Sequence, residues 1–376
     1  MKRQVTTKTE SIQPPQSRPP IHHNRDHPPV PRINLSTCES VVMQLGTGLF
    51  TAQTHPASSG TATERYADIL RLTRAAEEAG LDSAWTTEHH FERDEYLSAT
   101  MPVLGAMAAE TSSIELGPCV ALAPLYHPVR LAEDAATTDL LSNGRLTLGL
   151  AIGSNPAEFD AFGVPREERA ERLEDLLPFL RGAWSDGPLS YESQFYETDP
   201  DVTVTPKPTE GVVPVVLGGK AKPAVRRAAR HADGWCAPSS LSLDGLAKRV
   251  EDIRQVRDEE GLDADFTVYV LQHGWVGDSA AHAWETMQDG YFYIQRRYAE
   301  IFSGERVDVL PAARKADLKS QAIFGTPADV ADELAAYREI VGDELHFIFR
   351  TYYPGVETQA MARCLYRLGD EVVPRL

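Results

Sequence analysis

A glutamate and two histidines stand together where a predicted strand ends. Glu88, His89 and His90 follow an apolar segment. Because the pKa of imidazole lies near neutrality, a histidine here could exchange protons with a bound molecule. The same groups are metal ligands, although a metal-dependent hydrolase would need help from His127 or Asp160. Two adjacent histidines could equally be buried structural groups. Neighbouring strand residues point to opposite faces, so Glu88 and His90 should share one side and His89 the other.

A glycine turn farther along the chain could bind phosphate. Gly218, Gly219 and Lys220 lie between a predicted strand and a predicted helix, and Lys222 follows them. Free N–H groups at a helix start, together with the helix dipole, favour an anion. Glycine lets the backbone approach that anion closely. An ordinary glycine turn with solvated lysines would look the same in the sequence.

Alternating strands and helices must position these residues. Short apolar segments alternate with amphipathic ones from residue 42 onward, which is typical of βα units around a parallel sheet. The predicted strands are 42–50, 82–88, 114–121, 146–152, 212–217, 234–237, 266–276 and 344–350. The predicted helices are 61–80, 97–111, 128–144, 166–184, 223–232, 243–260, 327–341 and 356–372.

This alternation predicts an α/β fold, a (β/α)8 TIM barrel with insertions. A doubly wound sheet would also alternate, but Gly46-Thr47-Gly48 has no third glycine for a dinucleotide fingerprint. Active sites of such barrels lie at the carboxyl ends of the strands. Both groups of residues described above are therefore expected at that rim.

Three segments stand apart from the alternation. Residues 1–40 are polar and rich in proline, which predicts a disordered N-terminal arm before a barrel domain at 41–376. Residues of about 185–212 are turn-rich and aromatic and predict a short β insertion. Residues of about 277–326 predict a second, helical insertion. Both insertions are candidate lids over the site.

Composition excludes several classes of function. The net charge of −18 argues against nucleic-acid binding, which needs a basic surface. No apolar run is long enough to span a membrane, and the N-terminus lacks the apolar block of a secretion signal. The cysteines are far apart in sequence and indicate reduced thiols; they are Cys38, Cys119, Cys236 and Cys364. We therefore expect a cytoplasmic enzyme without a metal site.

Three sequence blocks, taken in order, resemble the bacterial luciferase-like monooxygenases. They are Glu88-His89-His90-Phe91, then His127-Pro128-Val129-Arg130-Leu131-Ala132-Glu133-Asp134, then Ser142-x-Gly144-Arg145. The resemblance is strong over residues 43–237 and looser beyond them. It implies a flavin-dependent barrel enzyme, expected as a homodimer. A separate NAD(P)H:flavin reductase would supply reduced FMN, O2 would add at C4a to give a hydroperoxide, and a small organic substrate would be oxidised.

The resemblance also implies roles for individual residues. His89 matches the histidine that acts as acid and base near the flavin C4a position. Cys119 and Val120 match a non-proline cis peptide against which the isoalloxazine ring rests. The positions expected to contact the cofactor are Glu88, His90, Cys119, Val120, Glu133, Ile152, Gly218, Gly219, Lys220 and Trp235.

Two positions depart from luciferase. Ile152 stands where luciferase has an arginine for the flavin phosphate, so Lys220, Lys222 or backbone N–H groups alone would have to hold the phosphate. Ala151 stands where luciferase has a reactive thiol. Three rivals remain open: a deazaflavin-dependent oxidoreductase that transfers hydride, a non-catalytic flavin-binding protein, and the metal-dependent hydrolase. The sequence does not identify the substrate.

Overall fold

A ring of parallel strands forms the centre of the computed structural model, which describes residues 43–58 and 60–376. The strands are β1 Gln44–Phe50, β2 Ser83–Thr86, β3 Glu115–Pro118, β4 Ala121–Leu122, β5 Leu148–Ala151, β6 Val215–Gly218, β7 Gly234–Ala237, β8 Thr267–Val276, β9 Ile323–Gly325 and β10 Leu345–Arg350. The predicted arm at 1–40 lies outside the described residues.

The strand order confirms the predicted barrel. Neighbours follow the order β3-β2-β1-β10-β8-β7-β6-β5-β4, and every pair is parallel. β3 and β4 are two parts of one barrel strand interrupted at Cys119 and Val120, and β9 lies outside the ring, so the barrel has eight strands. A parallel bridge between Leu116 and Leu146 connects β3 to the chain entering β5 and nearly closes the ring.

Helices surround this ring in the expected alternation. They are α1 Ala62–Glu78, α2 Thr100–Glu110, α3 Pro128–Ser142, α4 Pro156–Phe162, α5 Arg169–Trp184, α6 Lys222–His231, α7 Leu243–Glu260, α8 Ala280–Ser303, α9 Ala312–Gln321, α10 Pro327–Val341 and α11 Thr358–Arg367. Within the described part of the chain, no helix is long and apolar enough to cross a membrane.

A small cluster of side chains fills the inside of the barrel. Its buried members come from strand positions that alternate with those facing the helices; they are Leu49, Trp85, Cys119, Val216, Cys236, Tyr269, Leu271 and Ile348. His346 adds a polar group here, with Nε2 2.6 Å from Ser83 Oγ and its ring stacked on Tyr269. Burial lowers the pKa of His346 to about 3, so the imidazole is neutral at physiological pH. The filled interior leaves the carboxyl-end rim as the place for a site.

The first predicted insertion is a loop rather than a β unit. Between 185 and 212 the described chain contains one antiparallel bridge, which joins Glu192 and Glu197. The aromatic residues pack on α5 instead of pairing strands: the Tyr191 ring lies 5.0 Å from Phe179, and its hydroxyl donates to Asp175. The predicted lid role of this loop stays a prediction.

The second predicted insertion is helical, as its pattern indicated, and carries more structure than the pattern showed. It contains α8 and α9, and β9 then pairs with the end of β8. The pairing of Gly274 with Ile323 returns the chain to the barrel wall before α10 begins. The insertion is thus anchored at both ends.

Candidate active site

Both groups of candidate residues lie at one rim of the barrel. Glu88 follows the end of β2, and Gly219 follows the end of β6. Because all strands of the ring are parallel, their carboxyl ends meet at the same rim. The histidine cluster and the glycine turn are therefore on the same end of the molecule.

His89 is held by a buried carboxylate that the sequence did not reveal. Its Nδ1 lies 3.0 Å from Oε1 of Glu158, whose side chain is fully buried. The same oxygen accepts the His90 backbone N–H at 2.9 Å. The His89 ring packs edge-on against Tyr96 at 5.0 Å and Tyr298 at 6.0 Å. With Nδ1–H donated to Glu158, Nε2 is the ring atom left to exchange a proton with a ligand.

Glu158 comes from α4, a short helix that was missed although its end signals are present. Asn155 caps it by accepting the Ala157 N–H, Pro156 occupies its first turn, and Gly163 ends it at φ +68. These are the residue types that begin and end helices. A capped helix starting just after β5 would have placed Glu158 at the rim.

Glu88 connects the neighbouring polar groups. Its Oε1 lies 2.7 Å from His90 Nε2, and its Oε2 accepts the Tyr126 hydroxyl at 2.7 Å and the Leu122 N–H at 3.3 Å. Burial, and then the charge of Glu88, raises the pKa of Tyr126, so the phenol stays protonated. Glu88 and His90 share one side as predicted, while His89 turns to Glu158. The geometry gives Glu88 a positioning role, since both oxygens are engaged.

The other positions expected near a cofactor are placed as follows. The Cys119–Val120 peptide is cis, as the resemblance implied. The Cys119 thiol contacts Cys236, and this contact together with burial raises its pKa. Ile152 packs half-buried on the core just after β5. Glu133 lies on α3 and pairs with Arg130, and it makes no contact with Glu88, His89 or His90 among the described interactions.

The glycine turn has the features of an anion site. Gly219 has φ +144, and a Cβ there would lie 2.9 Å from the Cβ of Ala224. Trp235 is buried behind the turn, and its Nε1–H donates to the Gly219 carbonyl at 2.8 Å. Among the described residues, no side chain caps α6 at Ala221, so the first N–H groups of that helix face outward without one. The Gly219 N–H points to the Cys236 carbonyl at 3.5 Å, so the donors left for an anion are those at the start of α6.

Only one of the two lysines at this turn is available to a ligand. Lys222 Nζ pairs with Asp252 Oδ1 at 2.7 Å, and Arg249 also contacts that carboxylate. Lys220 forms no ion pair within residues 43–58 and 60–376, while its carbonyl is held by Arg249 Nε at 3.0 Å. Of the two predicted sources of charge for a phosphate, the geometry favours Lys220.

Helix α8 lies across the mouth of the barrel. The Tyr293 hydroxyl contacts Thr54 O and Asp94 Oδ2, both at 2.9 Å. The Tyr298 hydroxyl lies 2.9 Å from the Tyr96 hydroxyl. These contacts join the helix to the loops that follow β1 and β2. Tyr298 therefore covers the face of the site that contains His89.

Metal ligation finds no support in the described part of the chain. No group of three or more His, Cys, Asp or Glu side chains there could hold a metal ion. Glu88 is engaged with His90, and Glu158 with His89. The polar groups at this rim form paired hydrogen bonds rather than a ligand cage, and Tyr96 and Tyr298 pack against the His89 ring.

Sequence comparison identifies relatives that span almost the whole chain. A sequence model of the luciferase-like monooxygenase family matches residues 44–344. The oxygenase component of the flavin-dependent trigonelline monooxygenase of Acinetobacter baylyi is 25% identical over 345 residues, which cover 87% of this chain and 94% of that protein.

Known structures share the fold. Monooxygenase RslO1 from Streptomyces bottropensis superposes with a TM-score of 0.79 at 23% identity, over 88% of this chain and 99% of that chain. A second structure is the oxygenating constituent of 3,6-diketocamphane monooxygenase from Pseudomonas putida, in complex with FMN. It superposes with a TM-score of 0.73 at 19% identity, over 89% of this chain and 99% of that chain. A coenzyme F420-dependent tetrahydromethanopterin reductase from Methanopyrus kandleri superposes with a TM-score of 0.65 at 21% identity, over 89% of this chain and 99% of that chain.

Proposed function

The chain belongs to the luciferase-like monooxygenases, and from that premise we propose that it is the oxygenase of a two-component system. It would use reduced FMN and O2 to oxidise a small organic substrate, with a separate NAD(P)H:flavin reductase as partner. The observation that carries the proposal is that one rim of the barrel contains both His89, held by the Glu158 carboxylate, and the Gly219 turn, which is suited to a phosphate. Two-component flavin chemistry in a similar chain supports the same assignment.

The residues present fit a flavin mononucleotide. The phosphate would be held by N–H groups at the start of α6, with the Lys220 ammonium adding charge. At Gly218 an added Cβ would lie 3.0 Å from Val120 Cγ1, so only glycine leaves room beside the position expected for the ring. A side chain at Gly219 would also collide with α6.

The chemistry divides between cofactor and protein. When bound, reduced flavin supplies the electrons that activate O2. His89 would give and take protons through Nε2, while Glu158 keeps the ring in one orientation and stabilises its charged form. Tyr96 and Tyr298 pack against the imidazole and exclude water from it. The α8 segment would exclude water from the rim, so that O2 is used to form product rather than lost as hydrogen peroxide.

Deazaflavin-dependent hydride transfer is the second candidate, because the same fold serves a coenzyme F420-dependent reductase. Anaerobic titration of the protein with reduced FMN and with reduced deazaflavin, followed by mixing with O2, separates the two. We expect tight binding of reduced FMN, and substrate-dependent O2 uptake with one product molecule per O2. Hydride transfer from the deazaflavin without O2 uptake would refute the proposal.

A non-catalytic flavin-binding protein is tested by the same experiment. Such a protein would bind FMN, and its O2 consumption would be independent of every substrate. Trigonelline is the first compound for the screen, since a similar oxygenase acts on it. Product should be scored by mass spectrometry rather than by flavin oxidation alone, because free reduced flavin also consumes O2.

A further inference from the structure

A buried arginine at the rim has no anionic partner among the described residues. Arg350 is the last residue of β10 and is 1% exposed. Its Nη1–H donates to the Tyr298 hydroxyl at 3.0 Å, while Nε and Nη2 have no partner among the described residues. No carboxylate in residues 43–58 and 60–376 lies within ion-pair distance of it. The proposed chemistry of His89 does not use this charge.

The free edge of the guanidinium has a definite geometry. Nε–H and Nη2–H point the same way along one side of the planar group, which is the edge that binds a carboxylate through two parallel hydrogen bonds. A buried charge without such a partner is costly, so an unpaired guanidinium indicates a missing anion. Tyr298 occupies the remaining nitrogen and thereby fixes the orientation of the fork.

The surroundings keep the arginine charged and uncompensated. Burial acts to lower the pKa of Arg350, but the Tyr298 and Tyr96 hydroxyls outweigh it and raise the pKa overall. His273 pairs in register with Arg350 on the adjacent strand. Burial, and then the Arg350 charge, lowers the pKa of His273, so it adds no second positive charge. A single fixed cation therefore remains at this point of the rim.

The cation and the imidazole pack against the same tyrosine. The Tyr298 ring covers the guanidinium at 5.5 Å and also packs against His89 at 6.0 Å. One tyrosine thus separates the fork from the proton-exchanging ring. An acid group on Arg350 would place the body of a small molecule beside His89.

We propose that Arg350 binds the carboxylate of the substrate, so that the substrate class is a small organic acid or zwitterion. The inference rests on the proposed monooxygenase function. In this structure the Tyr298 hydroxyl bonds Nη1 and its ring lies over the guanidinium, so a carboxylate that reaches the buried Nε–Nη2 edge must displace neighbouring side chains. Arg350 then sets specificity by pairing with the acid group, whereas His89 acts on the reacting end.

Binding to the FMN-loaded full-length protein tests the assignment without turnover. The probes are nicotinate, benzoate, trigonelline and acetate. Each is compared with its neutral amide or, for trigonelline, with the 1-methylnicotinamide cation. We expect at least one acid to bind roughly 10- to 100-fold more tightly than its amide, as charge-assisted bidentate bonds permit. Arg350→Gln should remove the difference, and Arg350→Lys should restore part of it.

Stability and flavin affinity provide the controls. Because Arg350 forms no ion pair with any described residue, Arg350→Gln should not lower Tm. Arg297→Gln, which breaks buried ion pairs, should lower it. The Kd for reduced FMN should be unchanged. Equal affinity for every acid and amide would overturn the proposal, and so would a weakened Kd for reduced FMN in Arg350→Gln. Failure of the monooxygenase proposal appears separately, as absent substrate-dependent O2 uptake.

Discussion

At the scale of single residues, the site depends on buried carboxylates that hold histidines in place. The Glu158 side chain is held in one position, because it is fully buried and its Oε1 bonds both the His89 ring and the His90 backbone N–H. Glu88 does the same for His90 and Tyr126. A histidine that is oriented before a ligand arrives needs no reorganisation when the proton moves.

Replacing the central imidazole should separate chemistry from binding. His89→Ala is expected to slow turnover roughly 100- to 10,000-fold, the usual contribution of a general acid or base. The Kd for reduced FMN should change little, because the glycine turn is on another strand. Glu158→Gln keeps the shape and should lower kcat less than His89→Ala, without raising KM. Rapid-mix kinetics measures both; an unimpaired His89→Ala enzyme removes the residue from the mechanism.

The buried His346 should make the free energy of unfolding depend on pH. The ordinary pKa of 6.5 is lowered by burial to about 3 in His346, and Glu115 at 3.8 Å does not offset this. Between these values the unfolded chain binds a proton that the folded chain excludes, so stability is lost as pH falls from 6.5. The loss is about 1.4 kcal/mol per pH unit.

His346→Gln removes that linkage. In urea unfolding at pH 7 and pH 5, the variant should show a shallower fall in unfolding free energy than the unsubstituted protein. Its stability at pH 7 should be lower, because the contact with Ser83 and the stacking on Tyr269 are disturbed. Equal slopes in the two proteins would contradict a neutral, buried His346.

At the scale of elements, local signals fixed most boundaries. The capping box of Thr61 and Glu64 begins α1 as predicted, and α7 and α10 have the bounds that their patterns indicated. The alternation of these units was enough to predict the barrel and to place two candidate groups at one rim. Glu158 was missed because α4 is only 7 residues long and too short to show a period.

Long-range packing explains what the sequence could not show. Tyr298, Arg350 and His89 come from three distant elements, and only closure of the barrel brings them together. The ion pair of Lys222 with Asp252 likewise joins two helices, so the sequence could not tell which lysine remains for a ligand. The aromatic residues at 191–196 have the strand-like composition of a β insertion, yet a nearby helix offers them a better surface.

The glycine turn gives a prediction at this scale. Gly219→Ala should weaken binding of FMN at least tenfold, because a Cβ would collide with Ala224 and φ +144 suits only glycine. Gly187→Ala is the matched control: its φ of +88 is equally unsuited to alanine, but no atom lies within 4 Å of its Cβ. Flavin fluorescence titration should show normal affinity in the control. Equal weakening in both variants would mean that backbone strain, not the turn, is responsible.

At the scale of the whole molecule, one helix joins parts of the rim that are far apart in sequence. Arg297 on α8 is 4% exposed and forms ion pairs with Glu92, Asp94 and Glu300. These pairs and the tyrosine contacts hold α8 over a barrel whose interior is already filled. Helix α8 is thereby held in the position that its proposed role in excluding water requires.

Loosening this closure should uncouple the reaction rather than abolish it. Arg297→Gln leaves Glu92 and Asp94 without their cation, while Glu300 keeps its ion pair with Arg93. Breaking buried ion pairs typically costs about 3–5 kcal/mol. We expect a lower Tm, a smaller yield of product per O2, and more hydrogen peroxide, since water would reach the site beneath α8. Arg306→Gln, which removes an exposed pair with Asp308 at the surface, should leave all three unchanged. If peroxide release in Arg297→Gln equals that of the Arg306→Gln control while Tm falls, α8 would be a structural brace and the lid would have to lie elsewhere.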